Sequence, residues 1–409
     1  MADAELHGVS RGRYLPEIDA LRGAAVIGVF LFHLYQSVWP KAKLEPLLMW
    51  GDLRAHPDVV RWIGVPSLFG YAGVPLFFVI SGFCIHVSFL QSRRPFAYRP
   101  FMGRRFWRIY PAYVVAIGLS MLLPGNLIWK TRHVRKSVLL HLLFLHNINQ
   151  TTIYELSPPF WTLAVEFQFY AAYPVFLLLR RRLGPTRTLL ASFALCGVCS
   201  GVGHLIPPGH ACPIWLNPFM YWVQWCLGAV VAERFVEGRP RLLGMRVAAI
   251  PWIIGVLFAV PISVYSEWNY FAWAILGAAV IERVVRVPRP VSVWTPVAIR
   301  PIIWIGAISY SVYLLHVMIL WQLLPRLTAA PGSRFVLGIV AVFPLVIVAS
   351  AVSYFLVEMP GIAVGRRVVA WCFPGFKASG PSAAFGSSTG RPEMSAETGP
   401  KNRPCPPTG

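Results

Sequence analysis

Asp19, Arg22 and His33 are the first residues in this chain whose types and spacing could do chemistry together. They lie in the run IDALRGAAVIGVFLFHLYQ, residues 18–36, which is otherwise apolar. On one helix Arg22 and His33 are separated by about three whole turns, so they share a face roughly 16 Å apart along the axis. Asp19 falls within about 40° of the same line. An acid, a cation and an imidazole on one stripe can hold an anion and move a proton. Ionisable groups inside a bilayer are costly and usually mark a pathway or a reaction site.

Four other stretches carry similar weight. Arg104, Arg105 and Arg108, in RRFWRIYP, are expected in the first turns of a helix. Guanidinium forks suit phosphate, and a helix N-terminus adds its dipole; the plain alternative is a topology anchor. Ser81-Gly82, in GVPLFFVISGF, reads as a small-residue pair for close helix packing. Glu166, in FWTLAVEFQFY, sits about two turns into an apolar run beside Gln168. A carboxylate there must be paired, protonated or lining a wet cavity; a structural buried Glu is the alternative. Ser309, Tyr313 and His316, in ISYSVYLLH, form one polar stripe at i, i+4 and i+7.

The elements that must position these residues are membrane helices. Of 409 residues, 56% are hydrophobic and 13% charged, against about 25% charged in soluble proteins. Mean hydropathy is +0.58. The net charge of +21 sits mainly in short clusters between apolar runs. That is the pattern of membrane topology and not of a nucleic-acid module. The seven Cys are scattered, and Cys196 and Cys199 read as packing residues without a second pair. No metal site and no secretory signal are expected.

Runs long enough to cross a ~30 Å core lie near 17–38, 66–90, 106–124, 159–180, 187–206, 214–235, 246–265, 268–286, 300–324 and 334–357. The run 137–147 is about half the needed length. If it does not cross, the Arg clusters at 93–105, 180–182, 234–241, 283–289 and 366–367 all face one side with the N-terminus. The positive-inside rule therefore favours an all-α integral membrane protein with about ten spans, one short re-entrant or interfacial helix, and both termini cytoplasmic. Residues 1–14 read as a polar segment, 15–372 as the membrane domain and 373–409 as a disordered tail rich in Gly, Pro and Ser. Lys130, Arg132, Arg135 and Lys136 fall on the outer side, as headgroup snorkellers or as a contact for an anionic lipid or acceptor. Glu358 is expected at the inner end of its helix.

In these residues the chain resembles the acyltransferase family 3 of multi-span membrane O-acyltransferases. The resemblance rests on Glu17 to Gly23 with His33, Gly73 to Phe83, Arg104 to Pro111, Trp161 to Tyr170, Ser309 to His316, and Glu358-Met359-Pro360, in order over about 14–360. It departs at Pro75, where the family often has an acid, and at Glu166-Phe167, where it often has two Glu. The resemblance implies an acyl-CoA donor, most often acetyl-CoA, taken from the cytoplasm. It implies a hydroxyl acceptor on a glycan, a lipid-linked sugar or a small natural product such as a macrolide. By position His33 matches the family's essential His, Asp19 and Arg22 its acid–cation pair, and Arg104, Arg105 and Arg108 its CoA-phosphate motif. Some relatives fuse a soluble hydrolase-like domain, for which the tail here is too short and polar. The compositional bias and the resemblance point to a bacterial inner membrane.

His33 is then the expected general base on the acceptor hydroxyl, with an acyl-His33 relay as the covalent alternative. Glu166 is the expected partner of His33, and Tyr313 and His316 are expected donors to the carbonyl oxygen. A proton-coupled transporter and a membrane scaffold are the competing classes. No internal repeat and no matched pair of broken helices supports the first, and intramembrane charges would be idle in the second.

Overall fold

The computed structural model describes residues 15–40, 58–124, 127–205, 218–242, 244–250, 267–286 and 299–374. The polar N-terminal segment, most of the expected span at 246–265 and the tail beyond 374 lie outside them.

The described residues are helices joined by turns. Helix α1, Pro16–Val38, opens on a proline at its first position with Glu17 and Asp19 in the first turn. Both features favour a helix start, through a preset φ and the helix dipole. A short helix α2, Val59–Gly64, is capped by the Asp58 carboxylate, which accepts from the Val60 amide at 2.9 Å. It runs through a tight 3₁₀ stretch, Val65–Ala72, into α3, Gly73–Ser92. Helix α4 is Tyr98–Leu122, the short α5 is Val134–Leu142, and α6 is Phe160–Leu183. Helix α6 ends on three arginines and Gly184, whose φ of +80° only a glycine adopts cheaply. Then follow α7, Pro185–Leu205, α8, Pro218–Val236, and α9, Glu267–Val284.

Among the described residues five helices are long and apolar enough to cross a membrane, or six if the bent pair after α9 counts as one span. That pair, α10 (Arg300–Ala307) and α11 (Ser309–Leu323), corrects the single span expected at 300–324. It turns by 82° at Ile308, the only such break among the described residues. The last helix, α12, runs from Pro331 to Cys372, 42 residues. At 1.5 Å per residue that is roughly 63 Å, about twice a hydrocarbon core. It carries two π-turns, Gly338–Val342 and Tyr354–Glu358. Glu358 is thus buried mid-helix and not at a helix end as expected.

Glycines set the closest approaches. A Cβ on Gly82 of α3 would strike the carbonyl oxygen of Trp225 on α8, and one on Gly228 would strike that of Val79. Gly306 of α10 presses on the Asp19 carbonyl of α1 in the same way. Where lipid surrounds the bundle, such backbone proximity supplies the packing that water-driven burial cannot. The expected role of Gly82 therefore holds, and α3 with α8, and α1 with α10, are held backbone to backbone.

Candidate active site

Helix α1 places its three polar residues as a continuous 3.6-residue repeat requires. At its start Arg22 Nη1 donates to Asp19 Oδ1 at 3.0 Å, and Arg22 Nη2 contacts Cys84 Sγ at 3.4 Å. At the other end the half-buried His33 ring stands 5.2 Å from the ring of His316, centroid to centroid. Both histidines are expected at one reaction site; the bend at Ile308 brings their rings into contact by setting α11 against α1.

His316 is fully buried. Its Nδ1 is 2.8 Å from the Tyr313 carbonyl oxygen and 3.2 Å from that of Val312. A carbonyl only accepts, so Nδ1 carries the hydrogen and Nε2 is left with its lone pair. Nε2 has no hydrogen-bond partner among the described residues. A neutral His316 held in this way accepts at Nε2 and does not donate there, which corrects the expected donor role. Tyr313 is anchored by Thr162, whose Oγ1 is 2.8 Å from the phenol oxygen and 3.0 Å from the Pro159 carbonyl. When Thr162 donates to the phenol oxygen, the Tyr313 hydrogen stays free to donate elsewhere.

Glu166 lies one helical turn beyond Thr162 on α6. It accepts from Ser81 Oγ at 3.1 Å and from the Tyr170 hydroxyl, and it lies within electrostatic reach of Arg22. Its partners are therefore Ser81 and Tyr170, and not His33. Glu166 is also within electrostatic reach of Tyr313, so it stands between the Arg22 end and the histidine end. Ser81 thus has a polar role beside the packing role read from its neighbour Gly82.

The arginines come next to this carboxylate. Helix α4 begins at Tyr98, so Arg104, Arg105 and Arg108 lie beyond its first turn. That corrects the expected help from a helix N-terminus, which fades within one turn. The Arg105 guanidinium lies over the rings of Phe101 and Tyr170, 5.6 and 5.7 Å from their centroids. Ring faces hold the charge without using its N–H fork. Arg105 has no hydrogen bond or ion pair among the described residues, so that fork is open for an anion. Glu358, set by its π-turn, accepts from Ser311 Oγ at 3.0 Å and lies within electrostatic reach of Arg108 and Arg22. One chamber thus interleaves the carboxylates of Asp19, Glu166 and Glu358 with Arg22, Arg105 and Arg108.

Gln168 faces away from this chamber. It exchanges two hydrogen bonds with the Asn147 side chain, at 3.0 and 2.8 Å, and donates to the Phe144 carbonyl at 2.8 Å. It ties the loop after α5 to α6.

A second buried cluster escaped sequence reasoning. His86 on α3 bonds Tyr173 through Nδ1 at 2.9 Å and Glu233 through Nε2 at 2.8 Å. Arg180 Nη2 donates to Glu233 Oε2 at 3.0 Å. The available signal was the one used for His33, an imidazole in an apolar run. Both ring nitrogens of His86 are engaged, so this cluster clamps α3, α6 and α8.

A tethered imidazole facing a second imidazole can take a proton and spread the resulting charge. A cluster with one open guanidinium fork, that of Arg105, can hold a phosphorylated ligand. Residues 15–357 match the sequence model of the family described as "Acyltransferase domain". The chain is similar to a protein of Komagataeibacter xylinus named as the membrane-bound transacylase BcsY, 29% identical over 86% of this chain and 84% of that protein. It is similar to the peptidoglycan O-acetyltransferase OatA of Listeria monocytogenes, 24% identical over 85% of this chain and 56% of the relative. The O-acetyltransferase OatA of Staphylococcus aureus is likewise 24% identical, with 57% of it covered. The chain thus spans little more than half the length of the OatA relatives. No solved structure matches it.

Proposed function

The chain belongs to the acyltransferase family matched over residues 15–357, and from that premise we propose that it moves an acyl group from cytoplasmic acyl-CoA to a hydroxyl of a glycan or lipid-linked sugar. Acetyl is the favoured group, since the OatA relatives are named for acetyl transfer. The observation that carries the mechanism is the His33–His316 pair.

His33 removes the acceptor proton as the hydroxyl attacks the thioester carbonyl. The carbonyl carbon gains the acceptor oxygen, and the C–S bond then breaks to release the CoA thiolate, which takes up the proton. His316, fixed in one tautomer by two carbonyls, offers its Nε2 lone pair beside the imidazolium that forms on His33. Tyr313, anchored by Thr162, is the donor nearest this pair for the developing oxyanion. Arg105, assisted by Arg104 and Arg108, holds donor phosphates. Asp19, Arg22 and Glu166 hold the chamber between the two ends. About ten spans with both termini cytoplasmic would put the arginines on the CoA side and the histidines toward the far leaflet of the bacterial inner membrane.

The test is CoA release from acetyl-CoA by purified protein with a mixed extract of cell-envelope sugars. Release that needs both the extract and His33 supports the reading. Substrate movement across vesicles without thioester consumption would replace it with the transporter class.

A further inference from the structure

On short helix α5 and the turn before it, Lys130, Arg132, Arg135 and Lys136 are all exposed. None of the four has an ion pair or hydrogen-bonded side-chain partner among the described residues. Residues Arg132, His133, Val134, Arg135 and Lys136 line one concavity of about 420 Å³. The helix start inside it is uncapped: His133 stands at the cap position and its side chain accepts no amide. The Val134, Arg135 and Lys136 amides therefore point, with the helix dipole, into the same space as the cations. Cations that merely snorkel would spread along a membrane plane. Here three of the four, Arg132, Arg135 and Lys136, line one concavity.

The flank of this concavity is apolar and open. Trp129, Leu139 and Leu143 are each more than half exposed, and the two leucines share a face of α5 at i, i+4. An exposed Trp beside cations marks the headgroup level. From there the chain leads directly to the site. The His141 ring packs near Phe160 at the start of α6, and Asn147 is bonded to Gln168. Helix α6 carries Thr162, which anchors Tyr313.

We propose that this concavity binds the diphosphate of a polyprenyl-linked sugar, and so docks the acceptor beside the outer end of α6. The inference rests on the acyl-transfer reading and names its acceptor class. Three positive charges in the concavity, Lys130 on the preceding turn and an uncapped helix start match a diphosphate better than a phospholipid headgroup of single charge. The exposed leucines receive the prenyl chain, and the sugar projects past the 146–148 turn toward the Thr162–Tyr313 end of the site.

The test uses geranylgeranyl diphosphate as probe and full-length protein in nanodiscs of neutral phosphatidylcholine, with no acyl-CoA present. Saturable binding is expected that weakens as salt rises. The Arg132→Gln/Arg135→Gln/Lys136→Gln variant should lose roughly a hundredfold in affinity, at about fivefold per charge. Arg132→Lys/Arg135→Lys, which keeps the charge, should bind near the wild-type level and guards against misfolding of the first variant. Inorganic pyrophosphate should compete weakly, because it lacks the chain. Equal competition by phosphatidylglycerol would overturn the proposal and leave a bulk-lipid anchor. Salt-independent binding, or a triple variant that binds like wild type, would overturn it outright. Because binding is read without the donor, failure here leaves acyl transfer standing, and absence of acyl transfer leaves the binding result standing.

Discussion

The imidazoles of His33 and His316 face each other across 5.2 Å, although they come from helices near opposite ends of the chain. One is half-buried on α1, and the other is buried on α11 with its tautomer fixed by backbone. This pairing orders the expectations for mutants of the site.

His33→Ala should abolish acyl transfer, with a loss of at least about 10²-fold in kcat, while insertion and elution profile stay as in wild type. His316→Gln should lower kcat less and leave the donor KM unchanged. Equal turnover in His33→Ala and wild type, measured as CoA release, would remove His33 as base and as relay together.

Tyr170→Phe and Arg105→Ala should raise the donor KM by roughly 10- to 100-fold, the range for losing a hydrogen bond to a charged group. Tyr170 supports Arg105 through its ring and Glu166 through its hydroxyl. The phenylalanine keeps the ring, so it should be the milder of the two. A change confined to the acceptor KM in either variant would place the donor elsewhere.

Glu233→Gln should destabilise the bundle by about 3–5 kcal/mol, because it leaves buried His86 and Arg180 facing a neutral amide. The fall should be visible as a lower melting midpoint of detergent-solubilised protein. An unchanged midpoint would show that the clamp is already compensated by water.

Gly82→Val should prevent close approach of α3 and α8, since even a Cβ meets the Trp225 carbonyl. A cost of about 1–3 kcal/mol or more is expected for such overpacking. Gly118→Ala is the control, because nothing lies within 4 Å of a Cβ there. Similar melting midpoints for the two variants would refute the packing argument.

Acidification should loosen the α5 segment. His141 and His146 stack with their rings 3.9 Å apart, both buried. Burial pulls His141 from 6.5 down to about 4, and burial and its neighbour pull His146 well below its usual value. The folded state thus holds both neutral, while the unfolded segment binds protons below about 6.5. Stability is full above about 6.5 and falls steadily as pH drops toward 4. The protection of amides 134–148, taken relative to their intrinsic exchange rates at each pH, should fall over that window and be level above it. Protection that is level throughout would mean the pair opens without charging.

The sequence by itself determined that the chain is helical and membrane-embedded, and that it carries an acyltransferase constellation. Composition, run length and six motifs in order are local properties, and a continuous helix fixes the spacing of Asp19, Arg22 and His33 without any partner. The packing role of Gly82 was legible for the same reason, whereas the short helix read as 137–147 runs from Val134 to Leu142. Only the tertiary structure decided who meets whom. Glu166 went to Ser81 and Tyr170, because α3 and α6 meet at that turn of α6. His316 reached His33 through a bend of 82° at Ile308, and Glu358 reached Ser311 through a π-turn in mid-helix. Periodicity assigns each polar residue to a face of its own helix. It carries no information about the depth at which two helices, glycine against carbonyl, come to rest.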